Sequence, residues 1–475
     1  MRGTRRIAPL WLSLAGLVVA AAVWVPVSVQ ASPTAAAAPP TITTIAPGLT
    51  LTEAVDPSGP SRVYVLTVDP TQAVSIDVAT AGKAMGAYAR TSAIGSAHGA
   101  LAAINGDFTI DPGRPLHPFQ EDGTLRQLGL QGGASFAISQ DETKEYLADQ
   151  KSTVTGANLS TQTKFPLIGF NTANPAKGEM AGFTGYGGRA ERPPTHACSM
   201  RLKIAGKLHW GAGNVGVYRD YAVDRLRCAT KRMTVKPGTV VLSAGLTGAG
   251  AAAVKHALKG QIVRLTWSFG WAGVMDTVGG MPLLVDSGVA VAPASCSSYF
   301  CSRNPRTGIG ITADGKVLLV VVDGRSRQSA GMTLIGFARY MVQLGATYAL
   351  NLDGGGGATM WVAGRGVVSH PSDYSGERPV TSAVLVLPGP DNESVPLPYN
   401  KHHLGVGRTL APSSGAPGLT QVVSSLQARQ AMDASLTDPG STGGLMAALA
   451  SGGFGSQAMP AGVLRMARIY HARHR

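Results

Sequence analysis

The chain of 475 residues has few of the features that would place it at once in a common functional class. Aromatic residues make up 6% of it and charged residues 14%. The formal net charge is +14, yet there is no dense run of Lys or Arg, which disfavours nucleic-acid binding. The motifs H-E-x-x-H, G-x-x-x-x-G-K-[ST] and G-x-S-x-G are absent, so the usual signs of a zincin, a P-loop protein and an α/β-hydrolase are missing.

Cysteine is also scarce, with four residues in the whole chain. Cys198 and Cys228 lie far in sequence from Cys296 and Cys301, and four cysteines allow three pairings. Because Cys296 and Cys301 enclose only four residues and have no nearby His, zinc binding is disfavoured. We expect disulfides 198–228 and 296–301, which fit a protein that leaves the cytoplasm.

Apolar and small residues are abundant at both ends of the chain. Arg2, Arg5 and Arg6 precede an apolar stretch, which predicts a signal peptide over 1–31, with an uncleaved anchor as the alternative. Residues 32–49 are rich in Pro, Ala and Thr and predict a linker. We therefore expect a secreted or envelope-associated protein without a stable transmembrane span after cleavage. One folded domain is expected over 50–388.

The last part of the chain, 389–475, is rich in Ser, Gly, Ala and Pro and ends in basic residues. This composition predicts a low-complexity, disordered basic tail. Its charge suits contact with an anionic polymer of the cell envelope.

The stretch 317–353 predicts a βαβ unit. Residues 317–322 are continuously apolar and β-branched, 332–344 carry apolar residues at helical spacing, and 346–352 are again apolar. A strand, a helix and a strand of these lengths predict two parallel strands joined by a crossover. The expected fold class is α+β or α/β, with a mixed β-sheet core and flanking helices.

Polar residues follow both of these predicted strands. Asp323 follows the first and Asp353 the second, so both carboxylates are expected at the carboxyl edge of the sheet, where α/β proteins bind ligands. Gly354, Gly355, Gly356 and Gly357 come next and could form a backbone nest for an anion such as phosphate. With Asn351 and Arg325 nearby, we favour a functional site over a simple glycine turn.

Seven segments in consistent order resemble the phosphodiester glycosidase family. They cover about 60–388 and are Ile104–Phe108, Gly279–Gly288, Arg303–Gly310, Asp323–Arg325, Gly331–Leu334, Asn351–Gly356 and Glu377–Ala383. One departure is that Gly357 and Ala358 stand where the family usually has Ser-Thr. The resemblance implies an exported hydrolase that cleaves the glycosidic bond of a sugar-1-phosphodiester, similar to N-acetylglucosamine-1-phosphodiester, in an envelope or extracellular glycan.

The resemblance and the residue types together indicate the site. Asp353 and Asp323 are the expected catalytic carboxylates, although which acts as base or nucleophile stays open. The expected substrate-binding residues are Asn105, Asp107, Arg306, Thr307, Arg325, Asn351, Gly354, Gly355, Gly356, Thr359 and Arg378. Oxygen-rich side chains also suit Ca²⁺ or Mg²⁺, so either ion is an open alternative. Two other functions stay open: a non-catalytic envelope glycan-binding protein and a metal-dependent phosphodiesterase.

Overall fold

The computed structural model describes residues 39–110, 113–128, 133–140, 144–149, 151–172, 179–188, 191–210, 216–293 and 299–389. The predicted signal peptide, residues 32–38 of the predicted linker and residues 390–475 of the predicted basic tail lie outside these ranges. The described chain is built mostly of β-strands. The helices found in it are α1 (Thr91–Ala97), α2 (Ala249–His256) and α3 (Leu334–Gln343). No helix among these residues has the length and apolar character needed to cross a membrane.

The first sheet has eight strands and carries part of the predicted site. In spatial order its strands are β1 (Thr41–Ala46), β2 (Leu49–Asp56), β3 (Ser61–Val68), β24 (Val317–Val322), β23 (Arg306–Thr312), β25 (Ala346–Asn351), β21 (Leu283–Asp286) and β22 (Val289–Ala290). The strand β1 lies inside the predicted linker 32–49, because it pairs with β2 and extends the sheet. The folded region therefore begins earlier than the sequence indicates.

The prediction of an α/β or α+β fold with a βαβ unit is wrong. The strands β24 and β25 do not pair with each other, because β23 lies between them and is antiparallel to both. Two antiparallel pairings make β24 and β25 run in the same direction, so both still end at one edge of the sheet. Asp323 and Asp353 therefore follow strands that end on the same side, as predicted, within a β-rich sheet.

The glycines of β23 explain how α3 covers this sheet. A Cβ on Gly308 would lie 2.8 Å from the Phe337 ring, and one on Gly310 would lie 2.8 Å from Cε of Met341. Both of these α3 side chains are fully buried. The missing side chains thus let the helix pack closely on β23. Thr333 caps the start of α3, since its Oγ1 accepts a hydrogen bond from the Gly336 N–H at 3.1 Å.

The second sheet pairs strands that are distant in sequence and completes the site. Its order is β27 (Gly366–Val367), β26 (Met360–Val362), β5 (Ala102–Asn105), β28 (Ser382–Pro388) and β4 (Val74–Thr80). Its inward-facing apolar residues share one buried cluster with those of the first sheet, including Ile104, Met360, Leu319 and Leu350. This shared core brings the end of β5 next to the end of β25.

The remaining strands form two further sheets and a short hairpin. One sheet has the order β11 (Glu145–Asp149), β10 (Ala134–Ser139), β20 (Val274–Gly280), β8 (Phe119–Glu121) and β9 (Thr124–Gln127). The other has the order β13 (Thr163–Leu167), β12 (Thr153–Asn158), β19 (Ile262–Ser268), β17 (Val217–Ala229), β16 (Ala197–Trp210), β18 (Thr239–Ala244), β15 (Met180–Phe183) and β14 (Gly169–Phe170). The hairpin joins β6 (Thr109–Ile110) to β7 (Arg114–Pro115).

A disulfide links the two longest strands. Cys198 of β16 and Cys228 of β17 face each other in register and are bonded, which confirms that predicted pair. Cys301 is also disulfide-bonded. Cys296 lies outside the described residues, so its pairing with Cys301 stays a prediction.

Candidate active site

The site is centred on the turn that follows β25. Asp353 is partly exposed, and its backbone N–H donates to the Gly106 carbonyl at 3.1 Å. Gly355 to Gly357 then form a single 3₁₀ turn, which the N–H of Gly355 fastens to the Pro305 carbonyl at 3.0 Å. A Cβ on Gly357 would lie 3.3 Å from Oδ2 of Asp353, so the carboxylate lies over the turn. These contacts fix the carboxylate beside the glycines.

The glycine turn satisfies part of its own backbone. The N–H groups of Gly357 and Ala358 donate to the carbonyls of Gly354 and Gly355, at 3.2 Å each. Together with the bond from Gly355 to Pro305, these interactions occupy three N–H groups that a nest would aim at an anion. Of the glycines predicted to bind an anion, Gly355 thus has its N–H occupied, so the side chains around the turn must contribute to anion binding.

Two guanidinium groups lie against adjacent glycines. Nη2 of Arg325 is 3.0 Å from the position of a Cβ on Gly355, and a Cβ on Gly356 would collide with the guanidinium of Arg378. The carboxylate of Asp373 accepts from Nε and Nη2 of Arg378 at 2.7 and 3.0 Å. Arg325 is exposed and donates from Nε and Nη2 to Oδ1 of Asn304. Planar donors of this kind suit a phosphate group.

Asn105 joins the two sheets directly beneath Asp353. Its Nδ2 donates to the Asp353 carbonyl at 2.6 Å, while its Oδ1 accepts from Thr307 Oγ1 at 2.8 Å and from the Thr359 N–H at 3.1 Å. All three polar residues are fully buried. Asn351 is buried as well and donates from Nδ2 to the Met281 carbonyl at 2.7 Å. Asn105 thus holds the backbone of Asp353, and Thr307 and Thr359 hold Asn105.

Arg306 and Asp107 belong to buried networks near the turn. Arg306 is 2% exposed and donates from Nε to the Met332 carbonyl and from Nη2 to the carbonyls of Phe300 and Ser302. Asp107 is 1% exposed and accepts from the backbone N–H of His117, whose Nδ1 also lies 2.6 Å from its Oδ1. Both side chains hold neighbouring segments in place. Their substrate-binding roles stay predictions.

Asp323 lies at the end of β24 and is buried, at 4% exposure. Its Oδ1 accepts from the His370 N–H at 2.8 Å, and its Oδ2 lies 2.9 Å from Nδ1 of His370 and accepts from the Tyr64 hydroxyl at 3.2 Å. Burial raises the pKa of the Asp323 carboxyl above its ordinary value, and the hydrogen bonds from His370 and Tyr64 oppose that rise. His370 therefore lies between this carboxylate and the solvent.

Four polar residues of this region are not among the site residues predicted from the sequence: Tyr64, His370, Asp373 and Glu377. Glu377 accepts from the N–H and Oγ of Ser92 at 2.6 and 2.7 Å, and so stabilises the first turn of α1. The sequence contained a signal for two of them. Asp373 and Glu377 come five residues and one residue before Arg378, in a loop-like segment rich in Pro, Ser and Gly. No local pattern links Tyr64 to Asp323, since 259 positions separate them.

The described residues do not provide a cluster of acidic side chains that would bind calcium or magnesium. No group of three or more His, Cys, Asp or Glu side chains that could hold a metal ion occurs among them. The oxygens of Asp323 are hydrogen-bonded to Tyr64 and His370. The predicted Ca²⁺ or Mg²⁺ stays an expectation.

A carboxylate and two guanidinium groups lie around one glycine turn, a combination that suits a phosphorylated ligand. Comparison with known proteins points to a family. Residues 214–387 match the family model described as Phosphodiester glycosidase. The resemblance of the sequence motifs to this family is confirmed, and it supports a glycosidase-like function.

Two curated proteins are similar over short regions. An uncharacterized SPbeta prophage-derived protein of Bacillus subtilis, YomE, is 30% identical over 115 residues, which are 24% of this chain and 18% of that protein. The N-acetylglucosamine-1-phosphodiester alpha-N-acetylglucosaminidase of Mus musculus is 35% identical over 80 residues, which are 17% of this chain and 15% of the mouse protein. The chain thus matches less than a fifth of the length of either relative.

A solved structure shows the same fold. A hypothetical protein from Synechocystis superimposes with a TM-score of 0.57 and 20% sequence identity. The match covers 74% of this chain and 64% of the Synechocystis chain. At this identity the likeness supports the fold.

Proposed function

We propose that this protein is an exported hydrolase that cleaves the glycosidic bond of a sugar-1-phosphodiester, of the kind represented by N-acetylglucosamine-1-phosphodiester, in an envelope or extracellular glycan. One observation carries the proposal: Arg325, Arg378 and Asp353 converge on one glycine turn, at Gly355, Gly356 and Gly357 in that order. The disulfide between Cys198 and Cys228 favours an oxidising compartment and therefore export.

Charge stabilisation is the first requirement of this reaction. The substrate phosphate carries a negative charge before and after cleavage, and Arg325 and Arg378 can donate charge-assisted hydrogen bonds to its oxygens. A phosphate monoester is a weak base, so its departure requires less protonation than the departure of an ordinary alcohol. The two guanidinium groups therefore serve both binding and leaving-group stabilisation.

Asp353 supplies the second requirement. Its carboxylate lies over the turn, where it would face the anomeric carbon of a sugar whose phosphate contacts the arginines. A negative charge at that position stabilises positive charge that develops at the anomeric carbon. Asn105 donates to the Asp353 carbonyl and would keep the carboxylate in this position.

The test is turnover by the purified full-length protein. An N-acetylglucosamine-1-phosphodiester should release the free sugar and a phosphate monoester, while an alkyl N-acetylglucosaminide without phosphate should react far more slowly. In ¹⁸O-labelled water the label should enter the sugar hydroxyl at C1. Label in the phosphate would instead support a phosphodiesterase that breaks the P–O bond. Saturable binding without any turnover would support a glycan-binding protein.

A further inference from the structure

An exposed histidine is held from behind by a buried carboxylate and a tyrosine. The side chain of His370 is 65% exposed, whereas that of Asp323 is 4% exposed. Nδ1 of His370 lies 2.9 Å from Oδ2 of Asp323 and 2.9 Å from the Tyr64 hydroxyl. The His370 backbone N–H donates to the other oxygen of Asp323 at 2.8 Å. Both the ring and the backbone of His370 are therefore fixed by one carboxylate.

The hydrogen bonds determine which ring nitrogen carries the proton. Tyr64 is buried, and burial together with the nearby Asp323 charge raises the pKa of its phenol, so the hydroxyl keeps its proton and donates it to Oδ2. Nδ1 of His370 lies 2.9 Å from the same oxygen, and with Asp323 ionised two acceptors at that distance would repel each other, so we assign the proton of the neutral ring to Nδ1. Nε2 then carries the lone pair. An arrangement of this kind suits proton transfer at Nε2.

Two chain segments connect this histidine to the glycine turn. Asp323 is two residues before Arg325, whose guanidinium lies against Gly355. On the other side, His370 is three residues before Asp373, whose carboxylate lies against Gly356. Three residues span at most about 11 Å, so the backbone of His370 lies within that distance of the backbone of Asp373.

Asp323 itself is badly placed for contact with a substrate. Its two oxygens take hydrogen bonds from the His370 backbone, the His370 ring and Tyr64, and its side chain is almost entirely buried. An incoming water or sugar would meet His370 first. The carboxylate is therefore suited to hold the imidazole and to stabilise an imidazolium, as in other Asp–His pairs.

We propose that Nε2 of His370 is the general base for the hydrolysis, and that Asp323 and Tyr64 are positioning residues. In the step, Nε2 takes a proton from water while the water oxygen bonds to C1 of the sugar. The C1–O bond to phosphate breaks, and its electron pair leaves with the phosphate oxygen. His370 then releases the proton to solvent. This inference rests on the proposed function.

The first experiment compares His370→Gln with wild type in steady-state turnover of the N-acetylglucosamine-1-phosphodiester. Loss of a general base should lower kcat by about 10²- to 10⁴-fold. Binding of inorganic phosphate should stay within about twofold, because the arginines remain. His209→Gln is the matched control, since His209 is an exposed histidine stacked on Tyr218 in another sheet. It should keep wild-type turnover.

The second experiment separates chemistry from structure. His370→Gly should regain turnover when imidazole is added, and His370→Gln should lose the acidic limb of the pH profile of kcat/KM. The groups that face His370 are Asp323 and Tyr64, and the charges that act on Tyr64 beyond them are Arg62 and Glu53. Tyr64→Phe should keep that limb and lower kcat less than His370→Gln, because the phenol only positions.

The outcomes distinguish this inference from the proposed function. Wild-type turnover with an equally active His370→Gln variant, its acidic limb intact, would overturn the role of His370 and leave the glycosidase proposal standing. No turnover of any phosphodiester by wild type would overturn both. A large loss in kcat with imidazole rescue would support the base at Nε2.

Discussion

Gly356→Ala is the most direct perturbation of the candidate site. An added Cβ would collide with the carboxylate of Asp373 and the guanidinium of Arg378, which form a bidentate ion pair over the turn. Gly356 lacks the positive φ seen at Gly355, so alanine adds no backbone strain there. The substitution therefore acts by displacing two side chains.

The expected magnitudes separate stability from function. The side chains of Arg378 and Asp373 are 38% and 25% exposed, and a pair of this kind contributes about 0.2–1 kcal/mol to folding. A hydrogen bond between Arg378 and a phosphate is worth about 1.5–3 kcal/mol. Since about 1.4 kcal/mol corresponds to a factor of ten, kcat/KM should fall roughly 10- to 100-fold.

The assay measures kcat/KM for a sugar-1-phosphodiester and the melting temperature. Gly185→Ala is the matched control, because Gly185 also lies in a three-residue 3₁₀ turn and nothing lies within 4 Å of its added Cβ. The control should match wild type in both measurements. Undiminished kcat/KM in a folded Gly356→Ala variant would refute the placement of the phosphate at this turn.

Three further predictions concern the carboxylate, the disulfide and the tail. Asp353→Asn should keep the melting temperature and circular dichroism of wild type while turnover falls roughly a hundredfold or more; near-normal turnover would remove Asp353 from the chemistry. Cys198→Ser with Cys228→Ser should lower the free energy of unfolding by about 3–4 kcal/mol, measured by denaturant titration, and no loss would show that the crosslink is dispensable. A chain of residues 41–400 should keep its cooperative thermal transition and full turnover, and loss of either would show that the tail is needed.

Local patterns predicted the helix α3 and the buried strands around it. The apolar spacing between Leu334 and Val342 and the glycine that follows placed the helix within two residues of its observed bounds. Burial of one helical face depends on residues three and four apart, so the signal is contained in a short window. The strands β24 and β25 were also predicted correctly, because a short continuous run of apolar residues is likewise a local signal.

The order of the strands could not be obtained in this way. The sequence of β23 contains Gly308 and Gly310, which lower strand propensity, so its position between β24 and β25 left no local signal. Those glycines are required because Phe337 and Met341 press on them. Strand pairing of this kind is set by contacts between distant residues.

In the candidate site, too, the features set by adjacent residues were predictable and those set by distant residues were not. The motif around Asp353 and its glycines is continuous in sequence, so its importance was predictable. The surroundings of Asp323 were not, because Tyr64, Asp323 and His370 come from three distant segments. An isolated histidine carries no indication of which carboxylate it will meet.

Arg306 and Arg325 provide the sharpest contrast between the sequence and the structure. The motif places both at the phosphate, but Arg306 is 2% exposed and donates to three backbone carbonyls, whereas Arg325 is exposed beside Gly355. Leaving buried acceptors unsatisfied costs about 1–3 kcal/mol each, so Arg306→Ala should lower the melting temperature strongly. Arg325→Ala should keep the melting temperature and weaken binding of inorganic phosphate at least tenfold, measured by calorimetry below both transitions. If Arg306→Ala kept its melting temperature and lost phosphate binding instead, the role inferred from the sequence would be correct and Arg325 would lose its place in the site.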